Sequence, residues 1–66
     1  MSMLKVIEVL AESDKSWEDA AKSAVATAAK TVHNIKSIYI ENQEAVVTNN
    51  KITKYRINGK ISFMLE

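Results

Sequence analysis

The sequence predicts an α+β fold of order β-α-β-β, a three-stranded antiparallel sheet with one face against a single helix. Three observations carry this. The closing stretch KITKYRINGKISFMLE alternates by twos. Thr53, Tyr55, Ile57, Gly59, Ile61, Phe63 and Leu65 fall on one side, and Lys54, Arg56, Asn58, Lys60, Ser62 and Met64 on the other, as in a strand with one buried face. Upstream, Trp17, Ala21, Ala24, Ala28, Val32 and Ile35 recur at spacings of three and four, the apolar stripe of a helix. Between the last two strands stands Asn49-Asn50, which tolerates positive φ and suits a two-residue hairpin turn.

The first strand is LKVIEVLAES, about residues 3–12. Ile7 and Val9 share one face; Leu4, Val6 and Leu10 share the other with Glu8. A strand apolar on both faces is natural where a neighbouring subunit covers one of them. The helix starts at Ser16, a good N-cap, with Asp19 three residues on approximating a capping-box acid. Glu18 and Asp19 suit the positive end of the helix dipole. His33 and Asn34 are its expected last residues, which gives a helix of about 18 residues, near 27 Å. Trp17 is expected to pack where helix and sheet meet.

The hairpin follows. Pairing Thr48 with Lys51 sets Ala45 opposite Lys54, Gln43 opposite Arg56, Glu41 opposite Asn58, Tyr39 opposite Lys60 and Ser37 opposite Ser62. Ile38, Ile40 and Val46 then share a face with Tyr55, Ile57, Ile61 and Phe63, a parity consistent along both strands. The opposite face is polar and wide. One helix cannot cover it.

The chain has 66 residues, read as a single domain over 1–66. So short a chain buries only about 60% of its unfolded surface. Small domains add disulfides, a metal or partner subunits. Cysteine is absent and His33 is the one histidine, so subunit contacts are the expected remedy. Nine basic residues against eight acidic ones leave a net charge of +1, no footprint for nucleic acid. No apolar run reaches the roughly 18 residues of a membrane span, and the N-terminus lacks a signal-peptide layout. The expected setting is cytoplasmic.

The frame KVIEVL, SWEDAA and the alanine-rich helix, followed by a hairpin ending YRINGKISFMLE, resembles the dodecin family along essentially the whole chain. The resemblance implies a sheet partly wrapped around the helix and assembly into a hollow homododecamer. It also implies a non-catalytic role in binding or storing flavin. In the family a tryptophan early in the second strand stacks on the flavin ring, and a glutamine after the last strand's tyrosine bonds the ring edge. Those positions fall on Ser37 and Arg56. Serine has no ring to stack, and arginine donates but cannot accept. Ala11-Glu12 stands where the family commonly has Gly-Thr. The pattern resembles a flavin-poor, calcium-associated branch, so riboflavin or FMN binding is expected to be weakened or lost.

No EF-hand loop is present; Glu12, Asp14 and Glu18 are the candidates to gather oxygens around calcium near the helix start. Lys54, Arg56 and Lys60 form a basic row, paired with Glu41 and Gln43 or open to an anion or small molecule. Tyr39 faces a ligand or a neighbouring subunit. His33 has no partner for catalysis, and Glu41 and Glu44 point to opposite faces by parity. The chain reads as a binder or a structural shell; an enzyme is barely supported.

Overall fold

A computed structural model describes residues 3–65. Met1, Ser2 and Glu66, which the expected domain bounds include, lie outside the described residues. The elements are β1 (Met3–Ser13), α1 (Trp17–Ala28), β2 (Ile35–Thr48) and β3 (Lys51–Leu65). The sheet is antiparallel in the order β1-β3-β2. The last strand is therefore the central one. That placement explains where the core sits: Ile57 and Ile61, facing α1 from β3, are 1% and 0% exposed. Ala20 of the helix is also 0% exposed. Ala20 was not in the expected stripe, yet it follows Trp17 by three residues. Its methyl group lets the helix lie close to the sheet. Gly59, buried between Ile57 and Ile61, serves a close approach within the sheet instead, since a Cβ there would lie 3.0 Å from the Tyr39 carbonyl oxygen and 3.5 Å from the Ile38 side chain, both of β2.

The cap forms as the sequence predicts. Ser16 is extended, and its Oγ accepts from the Asp19 N–H at 2.9 Å. The Asp19 carboxylate does not reach back to Ser16 but accepts from Ser13 Oγ at 2.7 Å. Ser13 Oγ in turn accepts from the backbone N–H groups of Lys15 and Ser16. The helix is shorter than expected. It ends at Ala28 after 12 residues, near 18 Å. Lys30 and Thr31 then bond to the carbonyls three residues back, at 3.2 and 3.1 Å, the tighter turn common at helix ends. The β-branched pair Thr31-Val32 favours extended backbone. Asn34, at φ 62°, turns the chain into β2, where Ile35 belongs.

The hairpin turn has Asn49 and Asn50 at φ 53° and 65°, as a I′ turn requires. Its register corrects the expectation. Thr48↔Lys51, Tyr39↔Lys60 and Ser37↔Ser62 stand as predicted, but the middle is shifted by one. Glu44, not Gln43, lies opposite Arg56; Ala45 lies opposite Tyr55 rather than Lys54; Asn42 replaces Glu41 opposite Asn58. Irregularities at Val46/Val47 and Ile40/Asn42 cause the shift, and they cancel. One leaves Thr53 of β3 unmatched and the other leaves Glu41 of β2 unmatched, each an extra residue in a bulge. Between them side chains exchange faces. Val46, expected on the helix side, joins Lys54 on the open face, and Gln43 moves to the side of Ile57.

The molecule spans 51 × 20 × 13 Å. Its radius of gyration is 13.5 Å, against about 10.8 Å for a compact chain of this length. Its accessible surface is 4993 Å², against about 4,200 Å² for a folded monomer of this mass. The excess is the hairpin and the sheet face that α1 does not cover.

Candidate functional site

The open face is built in rows, because β3 lies between β1 and β2 and each strand contributes one side chain per row. One row is Val6, Ser62 and Ser37; the next is Glu8, Lys60 and Tyr39; then Leu10, Asn58 and Asn42; then Glu12, Arg56 and Glu44. Ser37 and Ser62 hydroxyls bond each other at 2.5 Å. Tyr39 is 65% exposed.

The last row holds the strongest electrostatics. Arg56 Nε donates to Glu12 Oε2 at 2.7 Å, and Nη2 lies 2.6 Å from the same oxygen. Nη1 donates to Glu44 Oε1 at 3.2 Å on the other side. Lys54 Nζ lies 3.7 Å from Glu12 Oε1, and Lys60 Nζ 3.4 Å from Glu41 Oε1. Hydrogen bonds and charge from Arg56, with a smaller contribution from Lys54, hold the Glu12 carboxyl below the usual carboxylate range. Hydrogen bonds to Glu12 and Glu44 push Arg56 up in turn. All three side chains are more than a third exposed, so solvent screens much of this.

A lowered carboxylate pKa has a defined consequence for stability. The Glu12 contribution is present above the ordinary carboxylate pKa and is lost as pH falls through the lowered one. Glu12→Gln is therefore expected to be less stable than the parent near neutral pH. Its unfolding midpoint should approach the parent's below about pH 4. Midpoints measured across a pH series check this, and parallel curves would show that Glu12 gains nothing from Arg56.

The basic row is thus paired with carboxylates, but by a different set from the expected one. Glu41 serves Lys60, Glu12 and Glu44 serve Arg56, and Gln43 lies on the other side of the sheet. The bulges bring Glu41 and Glu44 to cations of the same face, correcting the opposite-face reading. Each is engaged by its own base, not by the other. Trp17 packs edge-on against Tyr55 at 5.0 Å, and its indole N–H donates to the Glu44 carbonyl at 2.9 Å. It closes the junction of helix and sheet.

Ser37 and Arg56 share the open face but do not meet within one chain. Ser37 is opposite Ser62, and six residues at about 3.4 Å each separate Ser62 from Arg56, roughly 20 Å in all. The calcium candidates do not converge either. Among the described residues no three His, Cys, Asp or Glu side chains form a group that could hold a metal. Glu12 and Asp14 line one depression with Ser13 and Lys54. Glu18 lines another, with Ala21, Val25 and Ile38. His33 is exposed. The Glu12–Arg56–Glu44 row was not anticipated, although opposite charges favour each other across strands and would have preferred Glu44 to Gln43 as the partner of Arg56.

The family model described as Dodecin matches residues 3–66. The calcium dodecin of Mycobacterium tuberculosis is 42% identical over 66 residues, covering 98% of this chain and 92% of that protein. A crystal structure of that organism's calcium dodecin, described as calcium-chelating with a novel calcium-binding site, superposes with a TM-score of 0.84. Its identity is 33%, over 97% of this chain and 91% of that one. A single-residue variant of the Thermus thermophilus dodecin superposes at 0.94 with 21% identity, over 100% and 98% of the two chains. The dodecin of Streptomyces davaonensis superposes at 0.92 with 17% identity, over 98% and 96%. At those two identities the likeness is one of fold.

Proposed function

Since the chain belongs to the dodecin family, we propose that it is a non-catalytic small-ligand binding and storage protein, assembled as a hollow homododecamer, with flavin binding weakened or lost. The observation that carries this is the uncovered sheet face. Leu4, Val6, Leu10 and Tyr39 are each more than half exposed on it, beside a charged row whose arginine is already satisfied. Apolar side chains gathered on one face mark an interaction surface, and repeated copies of the chain supply the cover. At Ser37 a hydroxyl bonded to Ser62 stands where the family's stacking ring would be.

Among the described residues no helix is long and apolar enough to cross a membrane. A cytoplasmic setting belongs to the proposal. A second reading, a structural shell with bound calcium and no organic ligand, is favoured by the 42% identity to a calcium dodecin. The side chains of one chain do not fit such an ion: Glu12 is held by Arg56 and Lys54, and Asp14 and Glu18 stand apart from it as a donor set. On that reading the donors come from more than one subunit.

Native mass spectrometry of freshly purified protein tests the proposal. The expected spectrum is a twelve-chain particle with no stoichiometric flavin. A folded monomer, or one flavin per chain, would overturn it.

A further inference from the structure

We infer that Arg56 is a resident cation of the open face: its guanidinium takes the place between Glu12 and Glu44 that a divalent ion would otherwise occupy, and it closes this carboxylate pair to metal. The geometry follows from the strand order. Glu12 comes from β1, Glu44 from β2 and Arg56 from β3 between them, and the register puts all three in one row. Both carboxylates turn toward the centre of that row, at 2.6 and 3.2 Å from the guanidinium. The neighbouring row places Asn58 and Asn42 on the same face, and asparagine amides supply the neutral oxygens that calcium sites combine with carboxylates. Without Arg56 the two carboxylates would face each other across β3, with these amides one row along the same face. With it, the two carboxylates are balanced by Arg56 and by Lys54 beside Glu12, so no net negative charge is left to draw a cation. Arginine does not release its proton at any ordinary pH, which makes the closure permanent. This inference stands apart from the small-ligand proposal, because it concerns metal and one row of the sheet.

The test counts cation sites by difference. Terbium stands in for calcium, and its luminescence is sensitised by Trp17, whose indole bonds the Glu44 carbonyl. The parent, Glu44→Gln, Arg56→Gln, Arg56→Lys, and Arg56→Gln combined with Glu44→Gln are titrated, with calcium as competitor and light scattering to follow assembly. Arg56→Gln is expected to gain one class of site per chain that the parent and Arg56→Lys lack, displaced by calcium and lost again with Glu44→Gln. The gain should be on the order of tenfold or more in affinity, since a divalent ion about 4 Å from a guanidinium is repelled even in water. An assembled Arg56→Gln with no added site would overturn the inference. A parent that loses a terbium site on Glu44→Gln alone would also overturn it, whatever the fate of the Arg56 variants, because the pair would then already bind metal.

Discussion

Leu10→Asp is expected to leave no assembled particle. Leu10 is 74% exposed in the single chain, the most exposed of the large apolar side chains among the described residues. It lies on the open face with Leu4 and Val6, which are 55% and 54% exposed. Only Ala20, Ile57 and Ile61 are fully buried apolar residues among those described. Such a core is small for a chain that must offset the entropy of ordering its backbone, about 1–2 kcal/mol per residue. In the proposed assembly the stability missing from the subunit comes from contacts between copies, and the apolar row of β1 is the surface most able to supply it. An aspartate in that row stands between Glu8 and Glu12 with no cation assigned to it. Burying an unpaired charge costs several kcal/mol, and an assembly repeats the cost in every copy. Obligate oligomers often have no stable folded monomer, so loss of assembly should appear as loss of folded protein in light scattering and circular dichroism together. Leu10→Met, similar in volume, should assemble as the parent does. An intact Leu10→Asp particle would show that this row is not an interface.

The second large effect concerns flavin. The parent is expected to quench riboflavin or FMN fluorescence weakly or not at all, and Ser37→Trp with Arg56→Gln to restore measurable binding. Ser37 carries only a hydroxyl bonded to Ser62. A tryptophan there would project from the open face in the row next to Tyr39. Stacking on an aromatic contributes about 1–3 kcal/mol per ring where measured for nucleobases, which is roughly ten- to a hundredfold in affinity. Arg56 adds a second obstacle, because its guanidinium is held by two carboxylates and cannot accept a bond from a ring N–H. Within one chain the two positions are roughly 20 Å apart along the strand, so a pocket that uses both takes them from different subunits. The gain should therefore require the assembled particle and vanish on dilution to subunits. A chelator belongs in the assay, since Arg56→Gln also frees Glu12 and Glu44 for metal. Tight quenching by the parent would refute the loss of the site. No gain in an assembled double variant would refute the placement of residues 37 and 56 in one pocket.

Periodicity, one cap residue and one turn pair determined the order and type of the elements of this protein. The alternation from Thr53 to Leu65 marks β3 and its buried face, because side chains on a strand must point to opposite sides in turn. Ser16 marks the helix start, because its hydroxyl can satisfy an N–H that the helix leaves unpaired. Asn49-Asn50 marks the hairpin, because asparagine tolerates positive φ. Tertiary structure decided the rest. The helix stops at Ala28 although its stripe continues to Val32 and Ile35, since those two side chains serve the connection and the sheet. Two bulges that cancel are invisible to a parity check made at the ends of a hairpin, where the pairs Thr48↔Lys51 and Ser37↔Ser62 are the same with or without them. Between those ends they exchange Gln43 for Glu44 beside Arg56. The strand order β1-β3-β2 then brings Glu12, 44 residues away in sequence, to the other side of the same guanidinium. Local preference acts through neighbouring residues, whereas a charged row across three strands exists only once all three have paired.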